Sequence, residues 1–155
     1  AAMHSFYLRK MYQENLLVKP GGITLGGVPL DLRKIKTPSF LLSTREDHIA
    51  PWRSTYAATQ LYSGPVKFVL SASGHIAGVV NPPDKHKYQF WTGGPAKGDY
   101  DAWLTKAKET AGSWWPHWHG WIESQAGEHV AARKVGGAAL NAIEEAPGSY
   151  VMARS

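Results

Sequence analysis

The chain has 155 residues, 43% of them hydrophobic and 19% charged, with 17 Lys and Arg against 12 Asp and Glu and no cysteine. This balance describes a globular domain and excludes a disulfide framework, and no apolar run approaches the ~20 residues that a membrane-spanning helix requires. The formal net charge of +5 is dispersed apart from Arg33-Lys34-x-Lys36 and Lys85-His86-Lys87, which excludes a nucleic-acid arm and leaves a solvated surface or the steering of a small polyanionic substrate.

At the start, Ala1-Ala2-Met3-His4-Ser5 shows neither the charged segment nor the apolar core of an export signal. Phe6, Leu8, Met11, Tyr12 and Leu16 recur at near-helical spacing and predict one amphipathic helix from Phe6 to Val18, closed by Lys19-Pro20-Gly21-Gly22. Ile23-Thr24-Leu25 and Val28-Pro29-Leu30 flank Gly26-Gly27 and predict a small antiparallel hairpin. Phe40 to Ser43 and Val66 to Leu70 are apolar without alternation, as in strands buried on both faces of a sheet. Pro51 suits the first turn of a helix from Trp52 to Tyr62, which Ser63-Gly64-Pro65 ends. Strand, loop, helix and strand over residues 39 to 75 make a βαβ unit and so a parallel sheet. Asn81-Pro82-Pro83 stops any helix begun after His75, and Thr92 to Gly98 reads as a loop. Tyr100 to Thr110 and Ser113 to Gln125 read as helices, the second capped by Ser113. Residues 1–126 form the expected folded domain. From Gly127 the chain turns small and weakly patterned through Val135-Gly136-Gly137-Ala138-Ala139, and 127–155 is expected to lie over the domain as a tail or to be partly disordered.

Each of the two expected strands runs into a loop with chemistry: Arg45-Glu46-Asp47-His48-Ile49 and Ser73-Gly74-His75-Ile76-Ala77-Gly78. An imidazole exchanges protons near neutrality, and a carboxylate bonded to one ring nitrogen holds it oriented and stabilises the imidazolium. An Asp followed by a His after consecutive strands is the order an α/β-hydrolase uses, with its nucleophile upstream of both. Neither Gly-x-Ser-x-Gly nor any cysteine is present, so Asp47 and His75 read as the second part of a triad. Glu46 is the alternative acid, and His48 reads as a structural or supporting residue. No cofactor or metal is expected: His117-x-His119 on a helix would project to different faces, and cannot chelate one ion. Four tryptophans fall within residues 114 to 121, and Trp114, Trp118 and Trp121 share one helical stripe. That stripe packs on the sheet or offers an aromatic surface to an apolar polymer or partner.

Several long motifs resemble the polyhydroxyalkanoate synthases, most closely the class I enzymes. They are Tyr7-Leu8-Arg9-x-Met11-Tyr12-x-Glu14-Asn15, Gly27-Val28-Pro29-Leu30-Asp31-Leu32, Arg45-Glu46-Asp47-His48-Ile49, Ser73-Gly74-His75-Ile76-Ala77-Gly78-Val79-Val80-Asn81-Pro82-Pro83, Gly112-Ser113-Trp114-Trp115-Pro116 and Ala146-Pro147-Gly148-Ser149-Tyr150-Val151. The resemblance implies the C-terminal half of an α/β-hydrolase fold, in an acyltransferase that polymerises (R)-3-hydroxyacyl-CoA into polyester and releases coenzyme A. It implies a cysteine nucleophile outside this chain, support from Asp47, and His75 as general base, first toward the cysteine and then toward the hydroxyl of each incoming unit. It also implies a cytoplasmic enzyme at polyester granules, a homodimer when complete, and no turnover by this segment alone. The competing readings are a serine or cysteine hydrolase, such as an esterase or polyester depolymerase, and a non-catalytic granule-binding module.

Overall fold

The computed structural model describes residues 1–133, 136 and 139–154. Of the weakly patterned stretch at 135–139, residues 135, 137 and 138 lie outside the described residues. Two compact units are distinguished, Ala1 to Ser124 and Gln125 onward.

The first unit opens with α1 (Ala2–Phe6), which continues as a π-helical turn over Tyr7–Gln13. The helix expected from Phe6 to Val18 therefore starts earlier and ends at Gln13. Asn15 adopts φ 47°, a left-handed conformation that interrupts any helix, and Leu16–Val18 is a separate 3₁₀ turn. Strands β1 (Thr24–Leu25) and β2 (Val28–Pro29) pair antiparallel about Gly26 and Gly27, both at positive φ, as the Gly-Gly hairpin signal predicts.

The main sheet has the order β3-β4-β5-β6: β3 (Ser39–Thr44), β4 (Val66–Ser71), β5 (Gln89–Thr92) and β6 (Lys108–Ala111). β3 and β4 run parallel in the register Ser39↔Val66 to Thr44↔Ser71. Between them lies α2 (Trp52–Tyr56), prolonged by a 3₁₀ turn at Ala57–Gln60, which confirms the βαβ unit. The sheet is nevertheless mixed and not parallel throughout, because β5 and β6 are both antiparallel to their neighbours. β5 begins before the expected Thr92–Gly98 loop, and the helix expected from Tyr100 to Thr110 stops as α3 (Tyr100–Lys106) so that Lys108–Ala111 can close the sheet edge.

Alternation along the strands splits the core between the two sheet faces. Phe68, Leu70 and Trp91 point to α2 and α3, where Tyr56 and Trp103 each meet Phe68 edge-on, at 5.0 Å between ring centroids. Phe40 and Phe90 point the other way, to α4 (Trp115–Glu123). Leu70 is fully buried, and such a side chain contributes roughly 1.5–3 kcal/mol. A three-layered mixed α/β unit results, with both parallel strands ending on the same side.

The second unit carries a short 3₁₀ turn at Tyr150–Met152, and Ser149 Oγ donates to Glu144 Oε1 at 3.0 Å. Ile143 and Tyr150 are almost fully exposed.

Candidate active site

The site forms where β3 and β4 end. Their pairing extends past the strands, as Arg45 N–H donates to Ser71 O at 2.8 Å and Glu46 N–H to Ser73 O at 3.0 Å. The two loops therefore leave the sheet side by side, and the Arg45 guanidinium lies over the buried Trp91 ring at 4.9 Å.

Asp47 is held by its own loop. Its Oδ1 accepts from the backbone N–H of Ile49 at 2.8 Å and of Ala50 at 2.9 Å. Its Oδ2 accepts from Thr44 Oγ1 at 3.3 Å and meets His75 Nδ1 at 2.8 Å. The carboxylate is only 7% exposed and would be costly to bury without these partners. The Ala50 amide foremost, then His75 and the Ile49 amide, outweigh desolvation and pull its pKa down to about 2, from an ordinary value of 3.8. Asp47 is thus a fixed anion at neutral pH.

His75 sits on a different kind of support. Ser73 takes φ 70°, a left-handed exit from β4 that L side chains rarely adopt, and residues 74 to 80 then form one helical turn. Gly78 N–H donates to Gly74 O at 3.0 Å and Val80 N–H to Ile76 O at 2.8 Å. The imidazole is 49% exposed, and with Nδ1 bonded to Asp47, no hydrogen bond reaches Nε2 among the described residues. A depression of about 200 Å³ beside it is lined by Leu42, Ser43, Thr44, Asp47, Thr55 and Val79, among others. With Asp47 ionised, Nδ1 of a neutral ring donates its hydrogen to Oδ2, which leaves Nε2 as an acceptor able to take up a proton.

The structure brings Asp47 and His75 together, as their order in the chain led one to expect. Glu46 and His48 are both exposed, and neither forms a side-chain hydrogen bond with His75 among the described residues. Thr44 escaped notice in the sequence, although a hydroxyl three residues before an Asp at a strand end is a signal for a local carboxylate contact. In the tryptophan stripe, Trp114 and Trp121 do pack on Phe40, with Trp121 at 5.4 Å, but Trp118 touches Trp114 and is 38% exposed. Helix α4 starts at Trp115, later than expected, with Ser113 Oγ accepting from the Trp115 N–H at 3.1 Å. His117 packs against Phe40 and Phe90, and burial, with Lys67 nearby, lowers its pKa. His119 points elsewhere, with its Nδ1 3.4 Å from Glu123. No helix among the described residues is long and apolar enough to cross a membrane.

A mixed α/β protein thus holds an ionised carboxylate against a half-open imidazole at the ends of two parallel strands. No family model matches the chain. Individual relatives are similar over essentially its whole length. It is 60% identical over 155 residues to the poly(3-hydroxyalkanoate) polymerase subunit PhaC of Rhizobium etli, covering 100% of this chain and 24% of that protein. With the poly(3-hydroxyalkanoate) polymerase of Methylorubrum extorquens it shares 54% over 152 residues, 97% of this chain and 25% of the relative. With the PhaC subunit of Cupriavidus necator it shares 46% over 153 residues, 98% of this chain and 26% of the relative. The chain thus belongs to the poly(3-hydroxyalkanoate) polymerase family and spans about a quarter of the length of these relatives.

Proposed function

We propose that this chain supplies the acid–base pair of a polyester-forming acyltransferase with an α/β-hydrolase fold, in which Asp47 orients His75 and His75 moves the protons. The observation that carries the reading is the 2.8 Å bond between His75 Nδ1 and the carboxylate of Asp47, which is 7% exposed, on an imidazole that is half exposed and lines the depression beside it. Its substrate is an (R)-3-hydroxyacyl-CoA. A cysteine borne elsewhere in the complete protein attacks the thioester after losing its proton to His75 Nε2; the carbon–sulfur bond to coenzyme A breaks, the acyl group is transferred to the cysteine sulfur, and His75 returns the proton to the departing coenzyme A thiolate. His75, neutral again, takes the proton of the hydroxyl of an incoming unit, whose oxygen attacks the acyl group; the acyl–sulfur bond breaks, the proton passes to the departing cysteine thiolate, and the polyester is longer by one unit. A thiol suits this exchange, because an imidazole partner makes the thiolate accessible near neutrality. The open outer edge of β3, beside the site, suits pairing with a further strand of the complete protein. The enzyme works in the cytoplasm at the surface of its own polymer, as a homodimer of the class I type.

The decisive experiment is His75→Ala in the complete polymerase, assayed by coenzyme A release and polymer yield. A loss of about a thousandfold or more is expected, the usual cost of removing a triad member. Near-normal polymer synthesis would discard the reading in favour of a granule-binding module.

A further inference from the structure

Two tryptophans that the acid–base reading leaves unused end on the turn that carries His75. Trp114 Nε1–H donates to Gly78 O at 3.1 Å, and Trp115 Nε1–H donates to Val79 O at 2.9 Å. In a continuing helix those two carbonyls would accept from the backbone N–H groups four residues on. Here these positions are Pro82 and Pro83, which have no N–H to give. The two indoles therefore stand in, in the same order along the chain, for the two donors that the prolines lack. Ser71 Oγ–H adds a second donor to Gly78 O at 2.8 Å.

The fixed turn also bears on the carboxylate side of the pair. Gly78 is buried so closely that a Cβ there would lie 2.5 Å from both Ala72 O and Thr44 Cγ2. Thr44 is in turn the residue whose hydroxyl reaches Asp47 Oδ2. Gly78 therefore packs directly against the residue whose side chain contacts the carboxylate of the Asp47–His75 pair.

We propose that Trp114 and Trp115 are positioning residues for His75: their indole N–H groups cap the proline-stopped turn and keep Nδ1 on Asp47. The inference rests on the reading of His75 as the base. Trp118, one turn further along α4, makes no hydrogen bond to the turn among the described residues and serves as the internal control.

The test is the double variant Trp114→Phe/Trp115→Phe, which keeps aromatic packing and deletes both donors, beside Trp118→Phe. In the 155-residue chain, the amides of Gly78 and Val80 should exchange with solvent roughly tenfold faster in the double variant, and the proton signal of His75 Nδ1–H should broaden into exchange with water. Val69 and Leu70 amides in β4 should keep their protection, and Trp118→Phe should change neither readout. In the complete polymerase, the same double variant should lower kcat about tenfold at unchanged KM, with Trp118→Phe near normal. The proposal is overturned by an undisturbed turn and Nδ1–H signal, by loss of protection that spreads equally through β4, by an equal effect of Trp118→Phe, or by unchanged kcat. Failure of the base reading has a separate signature, since His75→Ala would then keep making polymer whatever the exchange data show.

Discussion

The loop after β3 and the turn after β4 meet across one 2.8 Å bond, yet they are held in opposite ways. Asp47 takes its partners from its own neighbourhood: Thr44, Ile49 and Ala50 all lie within three residues, and the carboxylate is sealed. The His75 turn cannot complete its own hydrogen bonding, because Pro82 and Pro83 follow it, and it borrows donors 36 residues away. The acceptor of the pair is thus preformed locally while the imidazole is aimed from a distance. An acid that must stay ionised gains from nearby amides that cannot leave. A base that must meet changing partners gains from an open ring on a turn braced from behind.

The sharpest way to break this contrast is at the shared bond. Asp47→Asn leaves the loop nearly the same shape but no longer dictates which nitrogen of His75 carries the hydrogen. Turnover by the complete polymerase should fall by about ten thousandfold, as when a triad carboxylate is made an amide elsewhere, measured as coenzyme A release. Next comes Gly78→Ala, which forces a methyl group against Thr44 and Ala72 and should lower stability by about 1–3 kcal/mol in urea unfolding. Thr44→Val removes a single hydroxyl contact of 3.3 Å at a site that is 1% exposed, and should cost about 1 kcal/mol in the same measurement. The smallest effect at neutral pH is that of acid. Asp47 has a lower pKa folded than unfolded, so its contribution to stability is complete above about pH 4 and is lost as pH falls through about 2. The difference in stability between the parent chain and Asp47→Asn should therefore shrink across that window and stay level above it.

What could be read from the sequence follows the same division between local and distant causes. β3 and β4 are legible because Phe40 to Ser43 and Val66 to Leu70 are continuous apolar runs, and the hairpin because Gly26-Gly27 meets the positive φ that its turn requires. The loops carrying Asp47 and His75 follow from those strands. β6 was hidden because Lys108-Glu109-Thr110-Ala111 is a largely exposed edge strand without an apolar face, and β5 because it is only four residues long. The first helix misled in another way: Phe6, Leu8 and Tyr12 have helical spacing but remain exposed, and Asn15 in the left-handed region ends the pattern early. The mixed sheet, the reach of Trp114 and Trp115 to the His75 turn, and the seating of Phe40 among α4 aromatics all depend on contacts between distant segments. Periodicity within one segment does not encode those.

The two prolines after the His75 turn also set how far along the chain its contacts must reach. The donors to its last two carbonyls lie 36 residues away, whereas Asp47 draws on Thr44, Ile49 and Ala50, all within three residues. Closing the imidazole side of the pair therefore carries the larger loop-closure entropy, and the carboxylate side almost none.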